Sequence, residues 1–307
     1  MTDIDLVKPQ LAPTFSPQGN PEYMPRIERG LKEHGWFVSP KIDGIRCMVQ
    51  QGLCLSRRGD PLRSYQLQEM FGDLNGYDGE AVCGDPAAPN VYNTSSSHIM
   101  AYNKPGALSL HVFDYFHPDW LAKAYHRRLE ELERVDASLE GVNLVPHELA
   151  TDMDGLLRAE AHMLELGYEG VMLNNPEAPY KQGRGTVKQG IVFKLKREED
   201  VEVELTGLIE RMRNENEQER GALGQAKRST AKEGLVPCGS VGKFRGTYMG
   251  REISVAPGQF SHEELQDIWD SWPRDKGRLL KARHFPHGAK DELRQARALG
   301  FREATDL

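Results

Sequence analysis

The segment Lys41-Ile-Asp-Gly-Ile-Arg46 constrains this chain more than any other feature, because it places a reactive lysine beside an Asp-Gly turn. The run Trp36-Phe37-Val38 predicts a strand that ends at Lys41. Ile45, Cys47 and Val49 then alternate with period two before a Gln-Gln-Gly turn. The sequence therefore predicts a β-hairpin that carries Lys41 at its leading end.

The residue types in this segment suit an amine nucleophile whose phosphate target is held nearby. A lysine amine must lose its proton before it attacks, and its unperturbed pKa is about 10.4. We therefore expect neighbouring cations and partial burial to lower the pKa of Lys41. For this segment alone, the alternative is a surface hairpin with a Lys–Asp or Asp–Arg ion pair.

Composition places the chain among ordinary globular proteins and excludes several classes. Its 307 residues are enough for two domains, with 38% hydrophobic and 28% charged residues. The four cysteines form no Cys-x-x-Cys pair, which argues against a zinc cage or a disulfide framework. The first residues are acidic where a signal peptide would be basic, and no apolar run is long enough to cross a membrane. We therefore expect a cytoplasmic protein that does not bind a membrane. The net charge of −7 still permits a local basic stripe that binds nucleic acid.

Helices and strands are expected to mix over the first 199 residues. Helices are predicted from Asn20-Pro21 towards Gly35, over Ser64–Leu74, over 120–136, and from a capping box at Thr151-x-x-Asp154 to Gly167. Strands are predicted over Tyr77–Cys83, Leu108–Phe116, Tyr168–Leu173 and Ile191–Leu195. The polar segment Asn90–Gly106 is predicted to be a loop.

The character of the chain changes near residue 199. A strand over Val201–Ile209, a hairpin over Val241–Val255 that turns at Met249-Gly250, and a helix capped by Ser261-x-x-Glu264 are expected. The segment Met212–Pro237 is polar and has few apolar residues. Short strands with one helix suit a small barrel, so the domain boundary is placed near residue 199.

Four further segments follow Lys41 in order: Asp78-Gly79-Glu80, Phe113-Asp114-Tyr115, Glu169-Gly-Val-Met172 and Lys194-Leu-Lys196. Each has an ordinary structural explanation when taken alone, such as an exposed strand acid or a core aromatic. Together, in this order and spacing, they resemble the signature of the covalent nucleotidyltransferases, which include ATP-dependent polynucleotide ligases and mRNA capping enzymes.

The carboxyl-terminal region, with Lys227-Arg-Ser-Thr230 and Ala298-Leu-Gly-Phe-Arg302, resembles the small ATP-dependent DNA ligases of phages and bacteria. This resemblance implies an α+β fold in which residues 1–199 form a nucleotidyltransferase (adenylation) domain of antiparallel sheets with flanking helices. It also implies that residues 200–307 form a β-barrel OB-fold domain. The last motif departs from the family pattern, because its basic positions are kept while its aromatic and proline positions are changed.

The resemblance implies that the chain seals nicks in double-stranded DNA, with ATP as co-substrate and Mg²⁺ or Mn²⁺. It also implies a monomer in the cytoplasm of a bacterial host cell, encoded by the bacterium or by a phage. Lys41 would be the catalytic nucleophile that forms the lysine–AMP intermediate, and Glu169 would hold the metal ion. The other implied roles are nucleotide binding by Arg46, Arg57, Glu80, Phe113, Met172, Lys194 and Lys196, DNA binding by Lys181, Arg184, Lys188, Lys227 and Arg228, and a final motif of Arg294, Arg297 and Arg302.

Three other functions stay open at the level of sequence. An RNA ligase or a GTP-dependent capping enzyme would use the same lysine chemistry, and a non-catalytic nucleic-acid-binding module could keep a degenerate pocket. The segments 90–106 and 212–237 are either functional or simply mobile loops. The histidines show no metal-ligand spacing.

Overall fold

The computed structural model describes residues 6–17, 20–135, 139–285 and 293–302. Contacts divide the chain into two compact units. The first unit holds the residues up to Lys196 together with Gly221–Gln225, and the second holds Arg197–Arg220 and the residues from Ala226 onward. Among the described helices, none is both long and apolar enough to cross a membrane.

Twelve strands and five α-helices are described in the first unit. The helices are α1 (Met24–Glu33), α2 (Tyr65–Phe71), α3 (Val91–Ile99), α4 (Tyr125–Val135) and α5 (Met153–Glu165). The strands are β1 (Gln10–Leu11), β2 (Thr14–Phe15), β3 (Trp36–Pro40), β4 (Ile45–Gln50), β5 (Leu53–Leu55), β6 (Tyr77–Cys83), β7 (Leu108–Tyr115), β8 (Val142–Leu144), β9 (Glu148–Ala150), β10 (Val171–Asn174), β11 (Gly183–Arg184) and β12 (Val192–Leu195).

Two five-stranded sheets form the body of the first unit. Their strand orders are β2-β12-β10-β3-β9 and β5-β4-β6-β7-β8, and β1 pairs in parallel with β11. Most pairs in the large sheets are antiparallel, whereas β2 with β12 and β7 with β8 are parallel. Each sheet packs on its own apolar core, one centred on Trp36 and Phe193 and the other on Leu67, Phe71 and Leu110. The mixed α+β class expected from the sequence is confirmed.

Two local predictions for the first unit are wrong. The segment 90–106 was expected to be a loop, but it contains α3, because Val91, Ser95 and Ile99 repeat at helical spacing on a buried face. The buried Ser95 hydroxyl accepts a hydrogen bond of 3.0 Å from the backbone of Cys83, which satisfies a polar group inside the core. The cap of α5 is Asp152, whose carboxylate accepts from the backbone of Gly155, and not the Thr151–Asp154 box.

The second unit is built on one five-stranded antiparallel sheet with strand order β17-β16-β13-β18-β19. Its elements are β13 (Glu199–Asn214), β14 (Gln218–Arg220), β15 (Ala226–Arg228), β16 (Leu235–Tyr248), β17 (Arg251–Val255), α6 (His262–Asp270), β18 (Leu279–Phe285) and β19 (Arg294–Phe301). The predicted capping box of Ser261 and Glu264 is present at α6. The predicted hairpin also turns at Met249-Gly250, where both residues have positive φ angles of 49° and 75°.

The polar segment 212–237 contains the end of β13, the start of β16 and two short strands between them. The end of β13 and the start of β16 pair across it, and β14 and β15 form a small hairpin beyond them. The chain directly after β17 also pairs with β19. The Ala256 amide donates to the Ala296 carbonyl, and the Ala298 amide donates to the Ala256 carbonyl. Hydrogen bonds therefore link the two outer strands of the sheet through this short segment.

Candidate active site around Lys41

The backbone places Lys41 beside Glu169 where β3 ends and β10 begins. The Lys41 amide donates to the carbonyl of Gly170 at 2.9 Å, and the Glu169 amide donates to the Lys41 carbonyl at 3.4 Å. Gly170 has a φ of +147°, and a Cβ there would lie 2.3 Å from the carbonyl oxygen of Leu195. Only glycine therefore allows this close approach to the end of β12, which carries Lys194 and is followed directly by Lys196.

Glu169 binds two lysine ammonium groups at once. Its Oε2 lies 2.5 Å from the Lys41 Nζ, and its Oε1 forms an ion pair with Lys196. Glu169 is only 4% exposed and Lys196 only 8%. Burial by itself would raise the pKa of Glu169, but the charges of Lys41 and Lys196 outweigh it and hold this pKa at about 2. The carboxylate is therefore ionised throughout the ordinary pH range.

The expectation that the pKa of Lys41 is lowered is wrong for this structure. Burial does favour the neutral amine, but the carboxylates of Glu169, Glu80 and Asp43 outweigh it and raise the pKa of Lys41 above 10.5. The amine is therefore held as an ammonium group while no nucleotide is bound. A nucleophilic Lys41 would have to leave its contact with Glu169 or give up its proton after the phosphates arrive.

Lys194 is the cation whose charge the site does destabilise. It lies opposite Met172 in the register of β12 and β10. Burial, followed by the charges of Lys196, Lys41 and Arg184, lowers the pKa of Lys194 from 10.5 to about 8. An arriving phosphate would relieve this repulsion, which makes Lys194 a good receptor for an anion.

Glu80 lies across from Arg46 in the register of β6 and β4. Burial raises the pKa of Glu80 to about 7, although the charges of Lys41 and Arg46 oppose this. Gly44 lets the loop approach β6, because a Cβ at Gly44 would lie 2.6 Å from the carbonyl oxygen of Ala81. Glu80 thus stands beside Lys41, in a place where it could accept a hydrogen bond from a sugar hydroxyl.

The Arg46 guanidinium is bound to Asp78, which is fully buried. Nε lies 2.5 Å from Oδ1 and Nη2 lies 2.6 Å from Oδ2, so the pair is bidentate. The guanidinium carbon also lies 4.6 Å from the centre of the Phe113 ring, a cation–π contact. Arg46 therefore fixes one face of Phe113, and its nearest anion is a side chain of the protein.

A cavity of about 630 Å³ opens beside Lys41. Most of the residues predicted to bind nucleotide line it together with Lys41, namely Arg46, Arg57, Glu80, Phe113, Met172 and Lys194, as does the predicted DNA-binding residue Arg184. Glu169 and Lys196 are absent from this lining and are nearly fully buried. The size suits a nucleotide-sized ligand, since small-molecule sites range from about 300 to 1,000 Å³.

A buried ionic network beneath the cavity was not predicted from the sequence. Arg128 on α4 binds both carboxylate oxygens of Asp114 on β7, at 2.6 and 3.0 Å, and both side chains are almost fully buried. Three residues earlier on α4, the Tyr125 hydroxyl donates to the carbonyl of Phe113 at 2.7 Å. Helix α4 thus holds two adjacent residues of β7, and both of them line the cavity. The helical pattern gave no sign that Arg128 would face the core.

The predicted DNA-binding residues differ in their exposure and in their existing hydrogen bonds. Arg184 and Lys188 are exposed, whereas Lys181 is half-buried. Lys227 and Arg228 are exposed on β15, but the Arg228 guanidinium donates to the Asn216 carbonyl and to Gln218 within the second unit.

The arginines of the final motif lie on or next to β19. Arg297 pairs with Glu198 at 2.5 Å, and Arg302 pairs with Glu202. Arg294 is the first residue of β19. The acidic partners of Arg297 and Arg302 belong to the same unit, so these two arginines are neutralised there in this structure.

A metal ion would have few protein ligands here. The described part of the chain contains no group of three or more His, Cys, Asp or Glu side chains placed to hold a metal. Mg²⁺ often keeps several waters and takes only one or two carboxylates along with substrate phosphates. Glu169 fits that limited role, provided that the ion displaces one of its two lysines.

Comparison with known proteins identifies the family. The ATP-dependent DNA ligase domain matches residues 21–196, which is more than half of the chain. The chain belongs to the ATP-dependent DNA ligase family. A DNA ligase of Methanothrix thermoacetophila is 28% identical over 178 residues, which cover 52% of this chain but only 32% of that relative.

Two solved structures are similar over nearly the whole chain. A DNA ligase-adenylate of Chlorella virus is 25% identical, with 97% of this chain and 98% of that chain covered and a TM-score of 0.53. A Lig E DNA ligase is 18% identical, with coverage of 97% and 100% and a TM-score of 0.68. At 18% identity, the second similarity shows the fold alone.

Proposed function

We propose that this ligase-family chain seals nicks in double-stranded DNA with ATP, through a covalent Lys41–AMP intermediate. The observation that carries the proposal is the Lys41–Glu169–Lys196 cluster beside a nucleotide-sized cavity that also receives Glu80, Phe113, Met172 and Lys194. A partly buried lysine that faces a cavity together with Lys194 suits attack on a phosphate once its ammonium group has lost a proton. Family membership and the similarity to the viral ligase-adenylate support the same activity.

The residues of the cavity suggest distinct roles in adenylation. Phe113 and Met172 would hold the base, and Glu80 would accept a hydrogen bond from the ribose. Lys194 and Arg57 would neutralise the phosphates, while Lys196 would keep Glu169 ionised and in place. Arg46 would act mainly by holding Phe113, since its charge is already paired with Asp78.

The proposed reaction has three steps. The Lys41 ammonium group first loses a proton, and the neutral amine then forms a bond to the α-phosphorus of ATP while the bond to pyrophosphate breaks. The AMP then passes to the 5′-phosphate at the nick, and the adjacent 3′-hydroxyl displaces it to close the backbone. Glu169 would help to hold Mg²⁺, which would supply positive charge to offset that of the ATP phosphates.

We also propose that residues 1–199 are the adenylation domain and that residues 200–307 are an OB-fold domain. The five-stranded sheet of the second unit and the hydrogen bonds between Ala256 and β19 support a barrel. Lys181, Arg184, Lys188, Lys227 and Arg228 would contact DNA phosphates, and binding should therefore weaken steeply with salt. The enzyme would act as a monomer.

The decisive experiment is incubation with α-labelled ATP and Mg²⁺, followed by a denaturing gel and a nick-sealing assay. We expect Lys41→Ala to lose the labelled adduct and to seal only a nick that is supplied already adenylated. The matched control is Lys32→Ala, which removes an exposed lysine of α1 and should charge normally. Full adduct formation by Lys41→Ala would contradict the proposal.

Two changes of substrate separate the alternatives. Charging with GTP in place of ATP would indicate a capping-type enzyme. Sealing of nicked RNA in preference to nicked DNA would indicate an RNA ligase. Absence of any adduct from the unmodified protein would favour a non-catalytic binding module.

A further inference from the structure

The segment Val7–Ala12, here called the amino-terminal strap, lies outside the residues that the ligase domain matches. Its residues Lys8 to Ala12 nevertheless line the cavity beside Lys41. Strand β1 within the strap pairs in parallel with β11, with Gln10 opposite Gly183. A segment that the sequence describes only as extended therefore forms part of the cavity wall.

Side chains from distant parts of the first unit hold the strap at its beginning. Gln50 forms a reciprocal pair with Val7, in which its Oε1 accepts from the backbone nitrogen at 3.0 Å and its Nε2 donates to the carbonyl at 3.1 Å. Gln182 accepts from the backbone of Lys8 at 3.1 Å. Such contacts offset the conformational entropy that the segment loses when it becomes ordered.

Gln10 joins the strap to the site through three polar groups. Its backbone nitrogen donates to the Tyr180 hydroxyl at 3.1 Å, and its side-chain oxygen accepts from the backbone of Lys181 at 2.7 Å. Its carbonyl accepts a longer hydrogen bond of 3.4 Å from Arg46. The middle of the strap is thus fixed against the same arginine that covers Phe113.

Tyr180 completes a continuous chain of contacts to the base-binding ring. Its hydroxyl donates to the Oδ2 of Asp78 at 2.8 Å while it accepts from Gln10. Asp78 holds Arg46 in a bidentate pair, and Arg46 stacks on Phe113. Tyr180 is 6% exposed and Asp78 is fully buried, so water does not replace these contacts readily.

We propose that the amino-terminal strap is a wall of the nucleotide site, and that Gln10 and Tyr180 are positioning residues that hold it against Arg46 and Phe113. This inference rests on the proposed function. Loss of the Tyr180 hydroxyl, or of the Gln10 side-chain oxygen that accepts from Lys181, should let the strap move away from the cavity. Nucleotide binding should then weaken. The chemical step on an already bound nucleotide should change little, because the polar contacts described for these two residues run to Arg46, Asp78 and Lys181 and so reach the base side of the cavity.

The test compares Tyr180→Phe and Gln10→Met with the unmodified full-length protein. The matched control is Tyr77→Phe, which removes the hydroxyl of another buried tyrosine, one whose ring contacts Tyr115 on β7. Two quantities are measured: the Kd of a non-hydrolysable ATP analogue, and the ATP dependence of adduct formation with α-labelled ATP. We expect both strap variants to raise the Kd and the KM for ATP by about three- to ten-fold, which is the effect of one net hydrogen bond. The rate of adduct formation at saturating ATP should stay within about two-fold, and Tyr77→Phe should leave the Kd unchanged.

Either of two results would overturn the inference. One is an unchanged Kd and KM in both variants. The other is a fall in melting temperature and maximal rate without a rise in KM, which would mark a purely structural role. If the unmodified protein forms no adduct, the proposed function fails, and the Kd of the analogue still decides whether the strap belongs to a nucleotide site.

Discussion

Replacing Glu169 with glutamine tests the electrostatic centre of the site most directly. The change keeps the size of the side chain and removes only its charge. The carboxylate is 4% exposed and binds Lys41 and Lys196, one through each oxygen. Glutamine would leave two ammonium groups close together without their shared anion, so we expect a less stable fold as well as lower activity.

The size of the effect follows from the pKa of the carboxyl group. The pKa of Glu169 falls from 4.5 to about 2 in the folded chain. At about 1.4 kcal/mol for each pKa unit, the folded environment favours the charged form by ~3 kcal/mol. This order of magnitude agrees with the roughly 3–5 kcal/mol that breaking one half of a buried ion pair usually costs. We therefore expect Glu169→Gln to lower the free energy of unfolding of the first unit by ~3 kcal/mol at pH 7.

The sign of the pH dependence is fixed by the direction of this pKa change. A carboxyl group whose pKa is lowered by folding contributes stability that is fully present above its unfolded pKa of 4.5. The contribution disappears as the pH falls towards the folded pKa of about 2. The difference between the unmodified protein and Glu169→Gln should therefore be constant from pH 6 to 8 and shrink below about pH 4.5.

Urea unfolding of the full chain at several pH values measures this difference. The control is Glu165→Gln, which removes an exposed carboxylate from the end of α5 and should change the free energy of unfolding by less than about 0.5 kcal/mol. Because the cluster is buried, the effect of Glu169→Gln should persist in 0.5 M salt, a concentration that screens surface charges. Equal urea midpoints for Glu169→Gln and Glu165→Gln at pH 7 would refute the reasoning.

Three further predictions concern the supporting charges. Arg128→Ala should lower the free energy of unfolding in urea by about 3–5 kcal/mol, because it leaves the buried carboxylate of Asp114 unpaired. The exposed control Arg127→Ala should lower it by less than about 1 kcal/mol, and similar values for both variants would argue against the buried network. The pKa of Lys194 is about 8, so binding of an ATP analogue should weaken as the pH rises from 7 to 9. Lys194→Arg should remove this pH dependence, because arginine stays charged. A pH profile unchanged by the substitution would exclude Lys194 as the source of the pH dependence. Arg297→Ala and Arg302→Ala should slow adduct formation more than sealing of a pre-adenylated nick. Normal charging by both variants would exclude a role for these two arginines in adenylation.

Local sequence patterns predicted the elements that carry the site. The hairpin with Lys41 at its leading end follows from period-two alternation and a turn. Aromatic and β-branched residues predicted the strands of Glu80 and Phe113, and the strand that carries Lys194 was also expected. The order of these segments also indicated the family, which the ligase domain match confirms. Local preference failed at α3, where Asn, Thr and Ser suggested a loop but a buried face made a helix.

Tertiary structure alone decided the charges and the walls of the site. Glu169 and Lys196 are 27 positions apart, and no pattern showed that one carboxylate would bind two lysines and raise the pKa of Lys41 instead of lowering it. The Tyr180–Asp78 contact joins residues 102 positions apart, and the strap reaches Lys181 across 171 positions.

The physical reason lies in the range of each interaction. Backbone preference and apolar periodicity act over a few neighbouring residues, so the sequence alone determined the strands, the order of the motifs and the position of the nucleophile. A pKa depends on burial and on charges within a few ångströms, whatever their separation along the chain. Only the folded structure brings those charges together, and it therefore decided the protonation state of Lys41 and the partners of Glu169.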